Sequence, residues 1–504
     1  MTFVRTPEQN EIIETAKTTD GNLIISAYAG AAKTTTLREI AIDMPDTTFL
    51  YLAFNKRTQL DAEDSFPPNV TAKTAHSLAY GKMRMFESHW RKKLDERMFA
   101  KDYMAILDIP PVLGHVYGTA VFDTVKQFEY SDDEFVNHWH VPFEVKSKMR
   151  ETIEKQLPYE NKEKEFINQL RESHLQKAVN RMAEEAQTLW DMKIDPGSKV
   201  PIEHDTYLKL WQLSKPIINN YDVILYDEAQ DANPVILDIV LQQKIRQFYV
   251  GDKFQQIYRF RGAVDAMSKI KAEDKYLTQS FRFGPAIAQI AAAILKDRKL
   301  VKPIRGYDKI DSRVGNVNRK IPYTHIFRTN AGLLREALFL SEGSVKVAVV
   351  GDIYNAVDKV NSAYNLYKQK KVTNLEIKQY DTWDELVELS KKNNNYELIT
   401  ITEFILEHGD DIPRLMKQLK ESCRYPEESA DVILTTAHKA KGREFDQVVL
   451  NHDFERRLIK DGEPRYDVSD DEVNLLYVAA TRAIRCLEVT GGIMTFINRK
   501  IEAE

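Results

Sequence analysis

Short apolar runs that end abruptly in polar turns constrain this chain more than any other feature. Leu23–Ala27 runs into Tyr28-Ala-Gly-Ala-Ala-Lys-Thr34, and Val223–Tyr226 into Asp227-Glu228. Phe248–Val250 precedes Gly251-Asp252, Val432–Thr436 precedes Ala437-His438-Lys439, and Val448–Leu450 precedes His452-Asp453. Continuous apolar runs without alternation predict strands buried on both faces, as in parallel sheets covered by helices. Such open sheets bind ligands just beyond their strand C-termini, where these polar residues fall. Two charge-rich helical stretches, 81–204 and 342–430, are too long to be simple connections. They are expected to be inserted subdomains. The sheet domains would then take 1–80 with 205–283, and 284–341 with 431–504.

The segment from Ala27 to Thr35 follows a strand and opens a helix. Phosphate binding at such a turn needs inward backbone N–H groups, a helix N-terminus, a lysine and a hydroxyl for Mg²⁺. Lys33 and Thr34 fit the last two roles. Ala29, Gly30, Ala31, Ala32 and Thr35 supply the remaining backbone. Ala27 and Ala32 stand where the phosphate-loop pattern has glycine, and a Cβ at Ala32 restricts positive φ. Taken alone, the segment also reads as an ordinary strand-to-helix turn with a surface lysine. Asp227 and Glu228 change that balance. An apolar strand that ends in two carboxylates suits a cation: the first acid serves Mg²⁺, and the second orients and deprotonates a water. A dipole-favoured acidic pair at a helix start is the competing reading.

Composition excludes several classes. Across 504 residues, 71 Lys+Arg against 76 Asp+Glu give a formal net charge of -5. That excludes a globally basic nucleic-acid coat and leaves room for a local basic groove. The two cysteines, Cys423 and Cys486, exclude a disulfide framework and fit a reducing compartment. No run approaches ~18 apolar residues, so no membrane span is expected. The N-terminus has no apolar core of a secretory signal, so a cytoplasmic location is expected.

The stretch Val250-Gly-Asp-Lys-Phe-Gln255-Gln-Ile-Tyr258-Arg-Phe260-Arg261, with Asp-Glu-Ala-Gln-Asp231, resembles motifs II and III of UvrD-like superfamily 1A DNA helicases. The other family motifs follow in order. Thr6-Pro-Glu-Gln9 resembles the Q motif. Tyr51-Leu-Ala-Phe54-Asn55-Lys56 and Thr74-Ala-His76-Ser77 resemble Ia and Ib. Leu277 to Arg282 resembles IV, and Phe327-Arg-Thr-Asn330 the segment after it. Thr436 to Phe445 resembles V, and Leu476 to Ala483 resembles VI. Asp205 to Pro216 and Leu450-Asn-His-Asp-Phe454 are similar to the helicase part of the F-box DNA helicase family. The motifs start at Thr6, so no F-box region is expected before them. A bacterial, archaeal or phage-type relative is therefore expected, with a nuclear location only in a eukaryote.

The resemblance implies an α/β fold of two RecA-like P-loop domains, each with an inserted helix-rich subdomain, and ATP with Mg²⁺ in the cleft between them. Lys33, Glu228, Gln255, Arg282 and Arg482 would carry catalysis, the two arginines reaching the transferring phosphoryl from the far wall. Thr34 and Asp227 would hold the metal. Gln9 would read the adenine edge, Phe281 would stack on the base and Glu444 would contact the ribose. Phe54, Asn55, Thr74, His76, Tyr258, Phe260, Arg261 and His438 would line the path of single-stranded DNA. Tyr258 and Phe260 stand two apart, so an extended backbone puts both rings on one face. The implied activity is 3′ to 5′ movement on single-stranded DNA with duplex unwinding, in replication, recombination or repair. A monomer acting at single-strand/duplex junctions is expected. A translocase that clears proteins from DNA without unwinding is the alternative. A nucleic-acid scaffold with a dead ATP site is a further rival, motivated by Ala27 and Ala32. The basic run Arg91-Lys92-Lys93 reads as a solvated helix face before it reads as a duplex contact.

Overall fold

The apolar runs lie at the centres of two parallel six-stranded sheets in the computed structural model. The structure describes residues 4–499 apart from 96–97, 99, 110–113, 159–163, 258–266, 268–269, 299, 344, 352, 375, 379 and 393–394. The first sheet contains β1 (Leu23–Ala27), β2 (Phe49–Ala53), β3 (Val70–Thr74), β4 (Val223–Tyr226), β5 (Arg246–Gly251) and β6 (Glu273–Leu277), in the order β3-β2-β4-β5-β1-β6. The second contains β7 (Arg313–Val314), β8 (Tyr323–Phe327), β9 (Val347–Val349), β10 (Val432–Thr436), β11 (Phe445–Leu450) and β14 (Ala483–Glu488), in the order β7-β14-β11-β8-β10-β9. A small antiparallel hairpin, β12 (Ile459–Lys460) and β13 (Glu463–Pro464), lies outside both.

β2 and β4 are buried at every residue. This is why they read as unbroken apolar runs, since helices cover both faces of a parallel sheet. β5 sits between β4 and β1, in register with both. The three loaded strand ends, at Ala27, Tyr226 and Gly251, therefore open side by side on one edge.

The two insertions differ in how they are held. The first contributes helices such as Gly114–Glu129, Phe143–Gln156 and the 31-residue Lys164–Ile194. It has its own core around Val121, Phe128, Met182, Leu189 and Trp190. The second insertion does not. Val357, Ile401, Phe404 and Met416 from its helices share one core with Phe327, Val347 and Leu434 of the second sheet. Its expected start at residue 342 is corrected as well. Val347–Val349 pairs in parallel with β10, so the insertion begins beyond β9.

Lys93 departs from the solvated basic face expected of it. It is buried, and its ammonium donates to the carbonyls of Met192 and Asp195, pinning the start of the first insertion to the end of its longest helix. Arg91 and Lys92 are exposed. Among the described residues, no helix is long and apolar enough to cross a membrane.

Among the described residues, one apolar cluster spans both lobes. Tyr28, Ala29 and Phe254 of the first pack with Tyr477, Leu476 and Phe283, and through them with Val448 and Leu450 of the second sheet. The lobes meet directly over the phosphate-loop edge.

Candidate active site

β1 turns at Tyr28 and enters the helix Lys33–Asp43 through Ala32, which takes a left-handed conformation (φ 58°, ψ 41°). Gly30 is also left-handed, at φ 72°. A side chain at Gly30 would stand 2.6 Å from both Arg282 Cβ and Ser280 Oγ, so glycine is required there. The same approach lets Phe281 N donate to Gly30 O at 2.8 Å, tying the segment after β6 to the loop. Ala32 keeps a conformation that costs an L-residue about 1–2 kcal/mol.

Lys33, at the first turn of the helix, points across the loop to Glu228 Oε1 at 3.2 Å. Burial pulls its ammonium down, but Glu228, Asp252 and Asp227 outweigh that and hold it above its ordinary value. Asp227, at the end of β4, accepts from Thr34 Oγ1 at 2.9 Å and from the Tyr51 hydroxyl at 2.6 Å. Burial and the neighbouring Glu228 raise its carboxyl. Glu228 is half-buried; burial pushes its carboxyl up, yet Lys33 and Lys441 hold it below the usual range. Among the described residues no cluster of three or more His, Cys, Asp or Glu side chains forms a protein-only metal cage. A hydroxyl and one carboxylate at 2.9 Å fit Mg²⁺ instead, which keeps waters and takes oxygens from a bound phosphate.

The second lobe closes over this edge. Arg482 is 1% exposed; it donates to the carbonyls of Val478 at 2.8 Å and Arg443 at 3.1 Å, and to Gln255 Oε1 at 3.4 Å. No described carboxylate forms an ion pair with it. Burial, reinforced by the neighbouring Arg282 cation, pulls it well below the ordinary arginine value. A buried guanidinium of this kind is costly unless an anion arrives. Arg282 pairs with Glu444 Oε2 at 3.0 Å and donates to Thr481 O at 3.3 Å. Gln255 bonds Asp252 Oδ2 at 2.7 Å, so its amide links β5 to Arg482. The structure thus brings Lys33, Thr34, Asp227, Glu228, Gln255, Arg282 and Arg482 to one seam.

The residues expected to contact the nucleotide are engaged within the protein. Gln9 is fully buried; its Oε1 accepts from Thr6 N at 3.0 Å and its Nε2 donates to Thr36 Oγ1 at 3.1 Å. The first bond is half of a helix capping box with Thr6, and with the second it engages both ends of the amide expected to read adenine. Glu444 serves Arg282. Phe281 is half-buried beside Tyr307, ring centroids 5.3 Å apart.

Phe54, Thr74 and His76 line a groove of about 260 Å³ at the ends of β2, β3 and β4, with Asp205, Tyr130 and Asp231. Phe54 is 48% exposed, a large ring facing solvent at the groove. Asn55 and Thr74 cap the helices that follow them, and His76 Nε2 lies 3.1 Å from Asp205. His438 sits half-buried on the short helix Ala437–Ala440 after β10. Tyr258, Phe260 and Arg261 lie outside the described residues.

Sequence reasoning missed the connection between groove and seam. Gln230 Nε2 donates to Glu228 Oε2 at 2.6 Å and to Asp231 Oδ2 at 3.2 Å. Asp231 in turn receives the Lys441 ammonium from the second lobe, which also donates to Gln255 O at 2.7 Å. The unused final Asp of the Asp-Glu-Ala-Gln-Asp run was the available signal. Tyr477 was missed as well. Its hydroxyl bonds Ala29 N at 3.0 Å and Asp252 at 3.1 Å.

Residues 55–275 match the UvrD/REP helicase N-terminal domain. Over 96% of its length the chain is 33% identical to F-box DNA helicase 1 of Gallus gallus, covering 48% of that protein. The chain is similar to the UvrD/REP helicase family. It is also 28% identical over 95% of its length to F-box DNA helicase protein 1 of Schizosaccharomyces pombe, covering 56% of that protein. A probable DNA helicase of Mycoplasma pneumoniae is 26% identical over 54% of the chain. The chain spans about half the length of the curated relatives it matches. The two parallel sheets, flanked by helices, are two RecA-like domains, and the seam lies between them.

Proposed function

We propose that the chain is an ATP-driven motor that moves 3′ to 5′ along single-stranded DNA and separates duplex ahead of it. One observation carries the reading. Arg482, buried and without a described carboxylate partner, is held through Gln255 against the same edge that presents Lys33 and Glu228. Two lobes that each supply part of a phosphate-recognising set become competent only when closed together, as a cleft-closing motor requires.

In this reading Lys33 and the loop amides hold the phosphates, and Thr34 with Asp227 hold Mg²⁺, which neutralises phosphate charge when bound. Glu228, kept ionised by Lys33 and Lys441, orients and deprotonates the attacking water. Arg282 and Arg482 stabilise charge on the transferring phosphoryl. Release of Glu444 by Arg282 and movement of the Asp231–Lys441 contact would carry the change to the groove around Phe54 and His76. The direction of movement is carried over from the family resemblance.

ATP turnover with and without single-stranded DNA, beside strand displacement on 3′-tailed and 5′-tailed duplexes, tests the proposal. Stimulated turnover with unwinding of the 3′-tailed substrate is expected. Unwinding only from a 5′ tail overturns the direction. Absence of DNA-stimulated turnover overturns the motor.

A further inference from the structure

The amide of Gln9 has a direction set from within the protein. Its Oε1 accepts from Thr6 N at 3.0 Å. A backbone N–H only donates, so this bond fixes which end of the amide is oxygen and turns Nε2 toward Thr36. Nε2 donates to Thr36 Oγ1 at 3.1 Å. The amide nitrogen accepts nothing, so the Thr36 hydroxyl takes that bond on its oxygen and sends its single hydrogen elsewhere. The hydrogen goes to Ala32 O at 2.9 Å. The bonds therefore run one way, from Thr6 N through Gln9 and Thr36 to the Ala32 carbonyl.

Their end point is the left-handed residue of the phosphate loop. Ala32, at φ 58° and ψ 41°, stands directly before Lys33 in a conformation that costs an L-residue about 1–2 kcal/mol. Such a conformation persists where its surroundings over-determine it. The Ala32 carbonyl also accepts from Thr36 N at 2.9 Å, so two donors hold it. One of them is aimed by a buried amide, and bonds in such a series polarise and strengthen one another.

Neither side chain can reach a ligand. Gln9 and Thr36 are both 0% exposed. A ring nitrogen of a base cannot come within hydrogen-bond distance of an atom that water itself cannot touch. The helix Pro7–Thr18 that carries Gln9 is also tied on two sides. Arg5 pairs with Glu39 and Asp43 of the helix Lys33–Asp43, and Glu8 accepts from Thr278 N at 2.8 Å beyond β6.

We propose that Gln9 is a positioning residue for the phosphate loop, acting through Thr36 on Ala32, and that it does not read the base. The inference rests on the ATP-motor reading and specifies what this amide contributes there: affinity for the triphosphate, with no choice among bases.

The test is calorimetric binding of ATP, GTP and inorganic tripolyphosphate, each with Mg²⁺, to the full chain. Tripolyphosphate carries the phosphates and no base. Gln9→Met keeps the length of the side chain and removes the amide, whereas Thr36→Val keeps the shape and removes the hydroxyl. Each should weaken all three ligands by a common factor of about ten, the equivalent of one stranded buried bond. Thr36→Ser keeps the hydroxyl and should bind all three within about twofold of the unaltered chain. Gln9→Met that weakens ATP and leaves tripolyphosphate unchanged, or that shifts the ratio of ATP to GTP affinity, overturns the inference and gives Gln9 to the base. Undiminished tripolyphosphate binding by Thr36→Val overturns it too, as does a Thr36→Ser chain as weak as Thr36→Val. Should Gln9→Met fail to fold, the two Thr36 variants decide alone. An unaltered chain that binds ATP without binding tripolyphosphate overturns this inference only. One that binds no ATP overturns the motor reading itself.

Discussion

The Tyr477 hydroxyl accepts a hydrogen bond from Ala29 N at 3.0 Å, so a residue of the second lobe holds the phosphate loop of the first. The same hydroxyl donates to Asp252 Oδ2 at 3.1 Å. Tyr477→Phe keeps the ring, strands the buried Ala29 amide and leaves Asp252 Oδ2 with only its bond from Gln255, which costs about 1–3 kcal/mol. Denaturant unfolding should show that loss, and steady-state kinetics a raised KM for ATP. Unchanged stability together with an unchanged KM would show that the lobes are registered by packing alone.

Lys33 and Glu228 face each other at 3.2 Å, and their substitutions should separate binding from chemistry. Lys33→Ala removes the cation that offsets Glu228, Asp252 and Asp227, so nucleotide binding and turnover should both fall, turnover by at least about a hundredfold. Glu228→Gln keeps the shape and the contact to Lys33. It should bind nucleotide normally and hydrolyse it at least about a hundredfold more slowly. A fluorescent-nucleotide titration beside a phosphate-release assay checks both. Wild-type turnover by Glu228→Gln removes it as the base.

Much of this seam could be read from the sequence because local chemistry marks it. Lys33, Thr34, Asp227 and Glu228 sit at ends of apolar strands, and strand order alone brings them together. Arg282 and Arg482 needed the motif resemblance, since a lone arginine in a loop or just past a helix end carries no local mark. Tyr477 was invisible for the opposite reason: within Leu-Leu-Tyr-Val-Ala it looks like core, and only the tertiary fold aims its hydroxyl at Ala29. The second insertion looked independent because amphipathic helices do not state what they pack against. Its partner proved to be the sheet itself, through Phe327, Val347 and Leu434. Gln9 is engaged within the protein in a way the motif alone did not state. The capping-box spacing from Thr6 was present in the sequence and accounts for the bond to its Oε1, while the bond from its Nε2 to Thr36 needed the fold.

The two left-handed loop residues should respond in opposite ways. Gly30→Ala adds a Cβ 2.6 Å from Arg282 Cβ at φ 72°, so stability should fall by about 1–3 kcal/mol and turnover with it. Ala32→Gly relieves a left-handed alanine at φ 58°, worth about 1 kcal/mol before the added freedom of the unfolded chain is counted. Its stability should be unchanged or slightly higher, with equal or tighter nucleotide binding. Thermal melts with and without nucleotide check the pair. Severe loss in Ala32→Gly would give the alanine methyl a packing role of its own.

Asp231 should set an acid limb for the coupling of DNA to turnover. Burial pushes its carboxyl up to about 6, outweighing the Lys441 ammonium that it holds across the seam. The folded value lies above that of the unfolded chain, about 3.9. The proton's contribution to stability is therefore full below about pH 4 and lost as pH rises through about 6. Protonation thus favours folding while it neutralises Asp231 and loosens its grip on Lys441. DNA stimulation of ATP turnover should fall below about pH 6 even though this group does not destabilise the fold there. Asp231→Asn lacks the ionised form at every pH. It should show weak stimulation throughout and no acid limb near 6, while the ATP KM stays close to that of the unaltered chain. Turnover measured with and without single-stranded DNA between about pH 5 and 8 decides it. An identical acid limb in both proteins would place the titrating group elsewhere.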